Sequence, residues 1–164
     1  MLPRLLIPAL LLVARALGAQ PADPPVIVDP STAKFQVFPS VPACFETAVL
    51  RGDASQGPSA VLVRAQRACA IPLHWHTPNE NIEMISGVGI VTMKDGSPLR
   101  LKAGAYAYLP SRHPHVFACA GACLLFIYQD APFDIHYVDE NGREIPLEQA
   151  RQGLERERRK SPGR

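Results

Sequence analysis

The stretch His74-Trp75-His76-Thr77-Pro78-Asn79-Glu80 sets two imidazoles and a carboxylate close together, and few chain paths can accommodate it. In an extended strand successive side chains point to opposite faces, so His74 and His76 are expected to face one way and Trp75 the other. Thr77-Pro78-Asn79 has the chemistry of a short turn. Glu80 then opens a second run in which it shares a face with Ile82 and Met84, while Glu83 points outward. A carboxylate on an apolar face is costly unless something pairs it, and a metal ion is one such partner. The pattern points to a metal site inside a β-barrel.

Around this stretch the chain reads as short strands separated by Gly, Pro and Asp turns. Strands are expected at 45–50 and 60–65, at the His74 and Glu80 runs, and at 88–93, where Lys94-Asp95-Gly96 is a hairpin signal. Leu99–Lys102 alternates, with its apolar side expected inward. Tyr106–Leu109, His115–Cys119 and Cys123–Tyr128 complete the series, and His136 is assigned to a packed terminal strand. The spacing predicts an all-β sandwich or barrel over 45–147, a single domain. A proline-rich extended lead-in, 20–44, precedes it, with an edge strand at Ala33–Phe38. No helix is expected before Leu147, and 148–164 reads as a charged, solvated C-terminal helix or tail.

Residues 1–19 read as a signal peptide: Arg4, an apolar run from Leu5 to Val13, and small residues up to Ala19. The run is too short to span a bilayer, and Pro8 argues against a buried N-terminal helix. The implied location is secreted or periplasmic, with no membrane attachment after signal cleavage. Export makes the four cysteines candidates for disulfides. The favoured pairing is Cys44 with Cys69, which flank two strands, and Cys119 with Cys123, which flank a Gly-containing turn. A metal role for the thiols is the rival. The chain has 17 basic and 15 acidic residues; without Arg4 and Arg15 the balance is 15 against 15, which gives no reason to expect nucleic acid as a partner.

His74-x-His76-x3-Glu80-x6-Gly87 resembles the first motif of the cupin superfamily, G-x5-H-x-H-x3/4-E-x6-G, with Ala68 where the leading Gly belongs. Gly104-x5-Pro110-x4-His115 resembles the second motif, G-x5-P-x-G-x2-H-x3-N, with Arg112 in place of the inner Gly and Cys119 in place of the Asn. The resemblance covers roughly Phe45 to Val138. Gly52-Asp53, Gly57-Pro58 and Ala131-Pro132-Phe133-Asp134 look similar to the cupin part of zinc-binding anti-sigma factors. The resemblance implies a double-stranded β-helix, or jelly roll, that folds the two motifs onto adjacent strands. His74, His76, Glu80 and His115 are then the ligands of one divalent ion, Fe, Mn, Zn or Cu. A homodimer formed by pairing sheets is compatible with it.

Three imidazoles and one carboxylate on an octahedral ion leave two positions open for water, dioxygen or a bidentate substrate. The expected function is therefore a metal-dependent enzyme, oxygenase-like, acting on a small organic molecule, with an isomerase next. The alternative is a non-catalytic metal- or ligand-binding sensor module. His113 and Arg112, in the second-motif turn, are the candidates for a proton shuttle and for recognition of an anionic substrate. Tyr106 and Tyr108 share a face that would line the pocket only if it is interior, and Trp75 is expected to pack on the sheet.

Overall fold

Ile82 and Met84 alternate with Asn81 and Glu83, and this period of two gives a strand that buries one face. The computed structural model describes residues 24–160. The expected signal peptide and the first residues of the lead-in lie outside the described residues, as do 161–164. The strands are β1 (Phe45–Gly52), β2 (Ser59–Ala65), β3 (Cys69–Trp75), β4 (Glu80–Ser86), β5 (Val88–Met93), β6 (Leu99–Lys102), β7 (Tyr106–Leu109), β8 (His115–Cys119), β9 (Cys123–Gln129) and β10 (His136–Tyr137). Helix α1 (Leu147–Lys160) follows. Two five-stranded antiparallel sheets, ordered β1-β2-β9-β4-β7 and β10-β3-β8-β5-β6, make the jelly roll. Because β8 lies between β3 and β5, and β9 between β2 and β4, segments distant in sequence become neighbours.

Between the sheets lie Phe45, Val63, Ile82, Met84, Val91, Phe117 and Leu125, with the Phe45 and Phe117 rings 6.1 Å apart. Burial of each large side chain contributes roughly 1.5–3 kcal/mol. Gly87, a motif glycine, turns the chain from β4 into β5 with φ +78°, and a Cβ there would lie 2.3 Å from the Ala122 carbonyl oxygen. Only glycine fits.

One irregularity sets the interior. β3 and β8 pair Ile71 with Phe117, then His74 with His115, so β3 spends one more residue than β8 between these pairs. The extra residue is a β-bulge at Pro72-Leu73. Ile71 and His74 both line the interior, although they differ by an odd number of positions. Unbroken alternation from Ile71 would have placed Leu73 and Trp75 inside and both histidines outside.

Two expectations are corrected. The edge strand at Ala33–Phe38 is a single bridge, Gln36 with Thr47. The lead-in instead crosses from β1, the edge of one sheet, to β10, the edge of the other, where the Tyr137 hydroxyl donates to the Ser40 carbonyl at 2.8 Å. Phe38 and Val41 thereby reach the interior. Leu99 is 59% exposed rather than inward, since β6 ends its sheet with no second neighbour to cover it. The C-terminal segment forms α1, and its Ala150 and Leu154 lie over Pro72, Leu73 and Val116 on the outer side of β3 and β8.

Both favoured disulfides are present, Cys44–Cys69 and Cys119–Cys123. Cys69 and Cys119 oppose each other across β3 and β8, so the bridges sit together at the end of these strands remote from the histidines. Their sequence separations are 25 and 4 residues. Loop-closure entropy makes the longer bridge worth about 3.5 kcal/mol and the shorter about 2. Urea unfolding should therefore show Cys44→Ala/Cys69→Ala to be the more destabilised of the two double variants.

Candidate metal centre

His74 and His115 face each other on β3 and β8, His76 stands just past the end of β3, and Glu80 begins β4. All four are buried. The imidazole centroids lie 4.3 Å apart for His74 and His115, 4.8 Å for His74 and His76, and 5.8 Å for His76 and His115. Each ring is held by its Nδ1. His74 Nδ1 donates to the Pro72 carbonyl at 2.7 Å, His115 Nδ1 to the His113 carbonyl at 2.9 Å, and His76 Nδ1 to the Asp134 carbonyl. A carbonyl oxygen can only accept, so the proton resides on Nδ1 and the Nε2 lone pair is left for a ligand.

The Glu80 carboxylate faces these nitrogens, with Oε2 3.6 Å from His115 Nε2 and Oε1 3.9 Å from His76 Nε2. Both distances exceed a hydrogen bond, and His115 Nε2 is buried without a hydrogen-bond partner. The three histidines offer ligand atoms within 4.8 Å of one another, and atoms bonded about 2 Å from one ion lie at most about 4 Å apart, so the rings would draw in slightly to hold one. They could hold a metal. Burial, then the neighbouring His115 and His76, push His74 well below its ordinary pKa and keep it neutral. Burial pushes the Glu80 carboxyl up, but the His76 and His115 imidazoles beside it outweigh this and hold it below the usual value. A neutral His74 and an ionised Glu80 are protonation states that suit a divalent ion.

A second layer ties together the loops that carry the ligands. The Asn79 amide Nδ2 and backbone N–H donate to Asp130, while its Oδ1 accepts from the Tyr108 hydroxyl and the Ser111 N–H. The Thr77 N–H donates to Asp134 Oδ1 at 2.7 Å, in the residue whose carbonyl holds His76. Arg112 adopts φ 57°, the left-handed conformation that the motif's glycine would adopt readily, and its N–H donates to the His76 carbonyl at 2.8 Å. A non-glycine residue pays about 1–2 kcal/mol there. The Arg112 guanidinium lies 5.0 Å over the Trp75 ring, a cation–π contact that offsets part of this strain.

Arg112 and His113 are exposed, and neither lines the cavity beside the histidines. Tyr106 and Tyr108 lie on the outer face, their hydroxyls bonded to Asn81 and Asn79. Trp75 also faces outward and stacks on His136 at 3.9 Å. Glu83 is exposed, and Cys119, where the motif has Asn, is committed to its disulfide.

The cavity holds about 80 Å³, and its wall is mostly Val, Ile, Leu and Phe. Phe133 leans on the His76 ring at a centroid distance of 5.4 Å. Apart from the imidazoles and Glu80, its polar side chains among the described residues are Thr47 and Gln129. Sequence reasoning missed Asp134, Asn79, Gln129, Phe38 and Phe133 as parts of the site. Their partners lie far away in sequence, and only Pro72 inside a strand gave a local warning of the bulge.

The protonation states fix a pH dependence for protein stripped by a chelator. His74 has a folded pKa below its ordinary 6.5, so the unfolded chain takes up the proton first and stability falls as pH drops below 6.5. Glu80, depressed from 4.5, stabilises above that value and loses its contribution as pH falls through the folded pKa. Thermal melts of the metal-free protein should therefore show Tm level above neutrality and declining progressively below it. A Tm that rises on acidification would contradict both assignments.

A comparison of the sequence with curated proteins gives no match. A family model described as Cupin domain matches residues 61–128, which contain both motifs. Among solved structures, an RmlC-like cupin from Ralstonia eutropha JMP134 is similar at 15% identity and TM-score 0.58, over 84% of this chain and 89% of that one. An RmlC-like cupin from Shewanella frigidimarina NCIMB 400 is similar at 15% identity and TM-score 0.54, over 64% and 88%. The polyketide cyclase RemF from Streptomyces resistomycificus is similar at 16% identity and TM-score 0.59, over 69% and 84%. At these identities the structural likeness bears on the fold, and together with the motif-spanning family match it leads to one assignment. Residues 61–128 match the cupin family, and the fold around them is a cupin fold.

Proposed function

We propose that this chain is an exported, metal-dependent enzyme, oxygenase-like, that acts on a small organic molecule, with one divalent ion held by His74, His76, Glu80 and His115. The observation that carries the reading is the convergence of imidazole Nε2 atoms and a carboxylate on one apolar cavity, each ring oriented by a carbonyl at its Nδ1. When bound, such an ion supplies Lewis-acid chemistry and, if it is iron, manganese or copper, redox chemistry.

The rest is done by the chain. The Pro72, His113 and Asp134 carbonyls hold the rings in the ligating tautomer. The apolar walls exclude water and strengthen every electrostatic contact inside. Glu80 is, besides the imidazoles, the one cavity-lining residue among the described residues that can accept a proton. Two disulfides support export, since such bonds persist in oxidising compartments. No helix among the described residues is long and apolar enough to cross a membrane. The lack of a further acid or base on the cavity wall also favours a second reading, a binding module without turnover.

Elemental analysis of residues 20–164, purified from the export compartment without chelators, should find about one divalent ion per chain. His76→Ala and His115→Ala should each lower metal affinity at least about tenfold, with a smaller loss in Glu80→Gln. Full occupancy in His76→Ala would overturn the ligand assignment. Oxygen uptake by iron-loaded protein with small phenols, thiols and keto acids separates the enzyme from the binding module.

A further inference from the structure

We propose that Gln129 is the specificity residue of this cavity, and that it selects compact, largely apolar, uncharged molecules bearing a hydrogen-bonding oxygen next to the one that meets the metal. The inference rests on the metal-centre reading above. Gln129 ends β9 and is the direct cross-strand partner of Glu80 on one side and of Ser59 on the other. Residues directly opposite in neighbouring strands project to the same face, so the Gln129 amide stands beside the Glu80 carboxylate.

Gln129 is only 3% exposed, lines the cavity with the histidines, and its side-chain amide makes no hydrogen bond within the protein among the described residues. Next to it the Ser59 hydroxyl is buried without a partner. An amide that faces a cavity without a partner in the protein is left to bond with whatever enters. Such a group is satisfied when a molecule entering the cavity brings its own polar atom. The amide can both donate and accept, which suits a hydroxyl or a carbonyl.

The remaining wall defines the rest of the ligand. Val49, Val61, Ile71, Ile127 and Phe133 present hydrocarbon, and no Lys or Arg among the described residues lines the cavity. A phosphate ester would be desolvated there with no side-chain cation to help the bound ion pair its charge. An uncharged molecule with an apolar body and two adjacent oxygens meets both demands, one oxygen toward the ion and the other toward Gln129.

The test uses the zinc-loaded mature chain, because zinc carries out no redox turnover. The probes are 2-hydroxyacetophenone, which has adjacent carbonyl and hydroxyl oxygens, acetophenone, which lacks the hydroxyl, and glycerol 3-phosphate. Affinities are read by ligand-observed NMR for wild type and Gln129→Met, a near-isosteric apolar substitution. The wild type should prefer 2-hydroxyacetophenone, and Gln129→Met should reduce that preference about tenfold while keeping its zinc. An unchanged preference would overturn the proposal, as would tighter binding of the phosphate or no binding of either ketone by the wild type.

Loss of zinc in Gln129→Met would make Gln129 a metal ligand, overturning the proposal while leaving the metal centre intact. A wild type that takes up no zinc shows itself by elemental analysis before any probe is added, and it overturns the metal-centre reading and this inference together. The Gln129 side-chain NH2 resonances of the wild type give the answer without a substitution. They should shift on adding 2-hydroxyacetophenone and stay in place with acetophenone; equal shifts with both would overturn the proposal.

Discussion

The candidate centre depends on one extra residue in one strand. The bulge at Pro72-Leu73 reverses the facing of β3 partway along, so that Ile71 packs in the apolar interior and His74 still points inward. Pro72 suits this place because it has no N–H to leave unsatisfied where the ladder breaks. Its free carbonyl then accepts from His74 Nδ1, so the break in pairing also fixes the tautomer of the histidine it turns inward. Backbone irregularity, side-chain direction and ligand chemistry are thus set by the same residue.

Three buried imidazoles and a carboxylate make an expensive interior, and the chain distributes that cost. Each ring's Nδ1 is satisfied by a carbonyl from a different part of the chain, Pro72 in β3, His113 before β8 and Asp134 before β10. Asn79 and Asp134 join the loops that bring these pieces together. The disulfides occupy the far end of β3 and β8, where they brace the barrel without touching the site. The lead-in closes the gap between the two sheet edges and supplies Phe38 and Val41 to the cavity wall. His115 Nε2, buried without a hydrogen-bond partner, faces the interior, and Gln129 lines the same cavity.

The departures from the family's motifs have physical explanations. Arg112 keeps the glycine's left-handed backbone, at a steric cost, and its amide still reaches the His76 carbonyl. Its guanidinium lies on Trp75 outside the barrel instead of entering the cavity. Cys119, where the motif has Asn, exchanges a side-chain amide for a covalent tie to Cys123.

Local order was legible in the amino-acid sequence. Alternation of apolar and polar residues predicted the strands, because side-chain direction in a strand follows from the residue itself and its immediate neighbours. The cysteine spacing suggested the disulfide pairing, and the histidine spacing suggested the candidate ligands. Tertiary structure decided which of these side chains meet. The parity argument reached the correct facing for His74 and His76 without the bulge that brings it about, and that bulge exists only in the pairing of β3 with β8. Asp134 holds a histidine 58 residues away, and Gln129 stands beside Glu80 only because β9 lies next to β4. Contacts of that range depend on the order of strands in the sheets, which no local pattern encodes. The sequence therefore determined what each segment could become, while strand order determined which polar groups share the cavity.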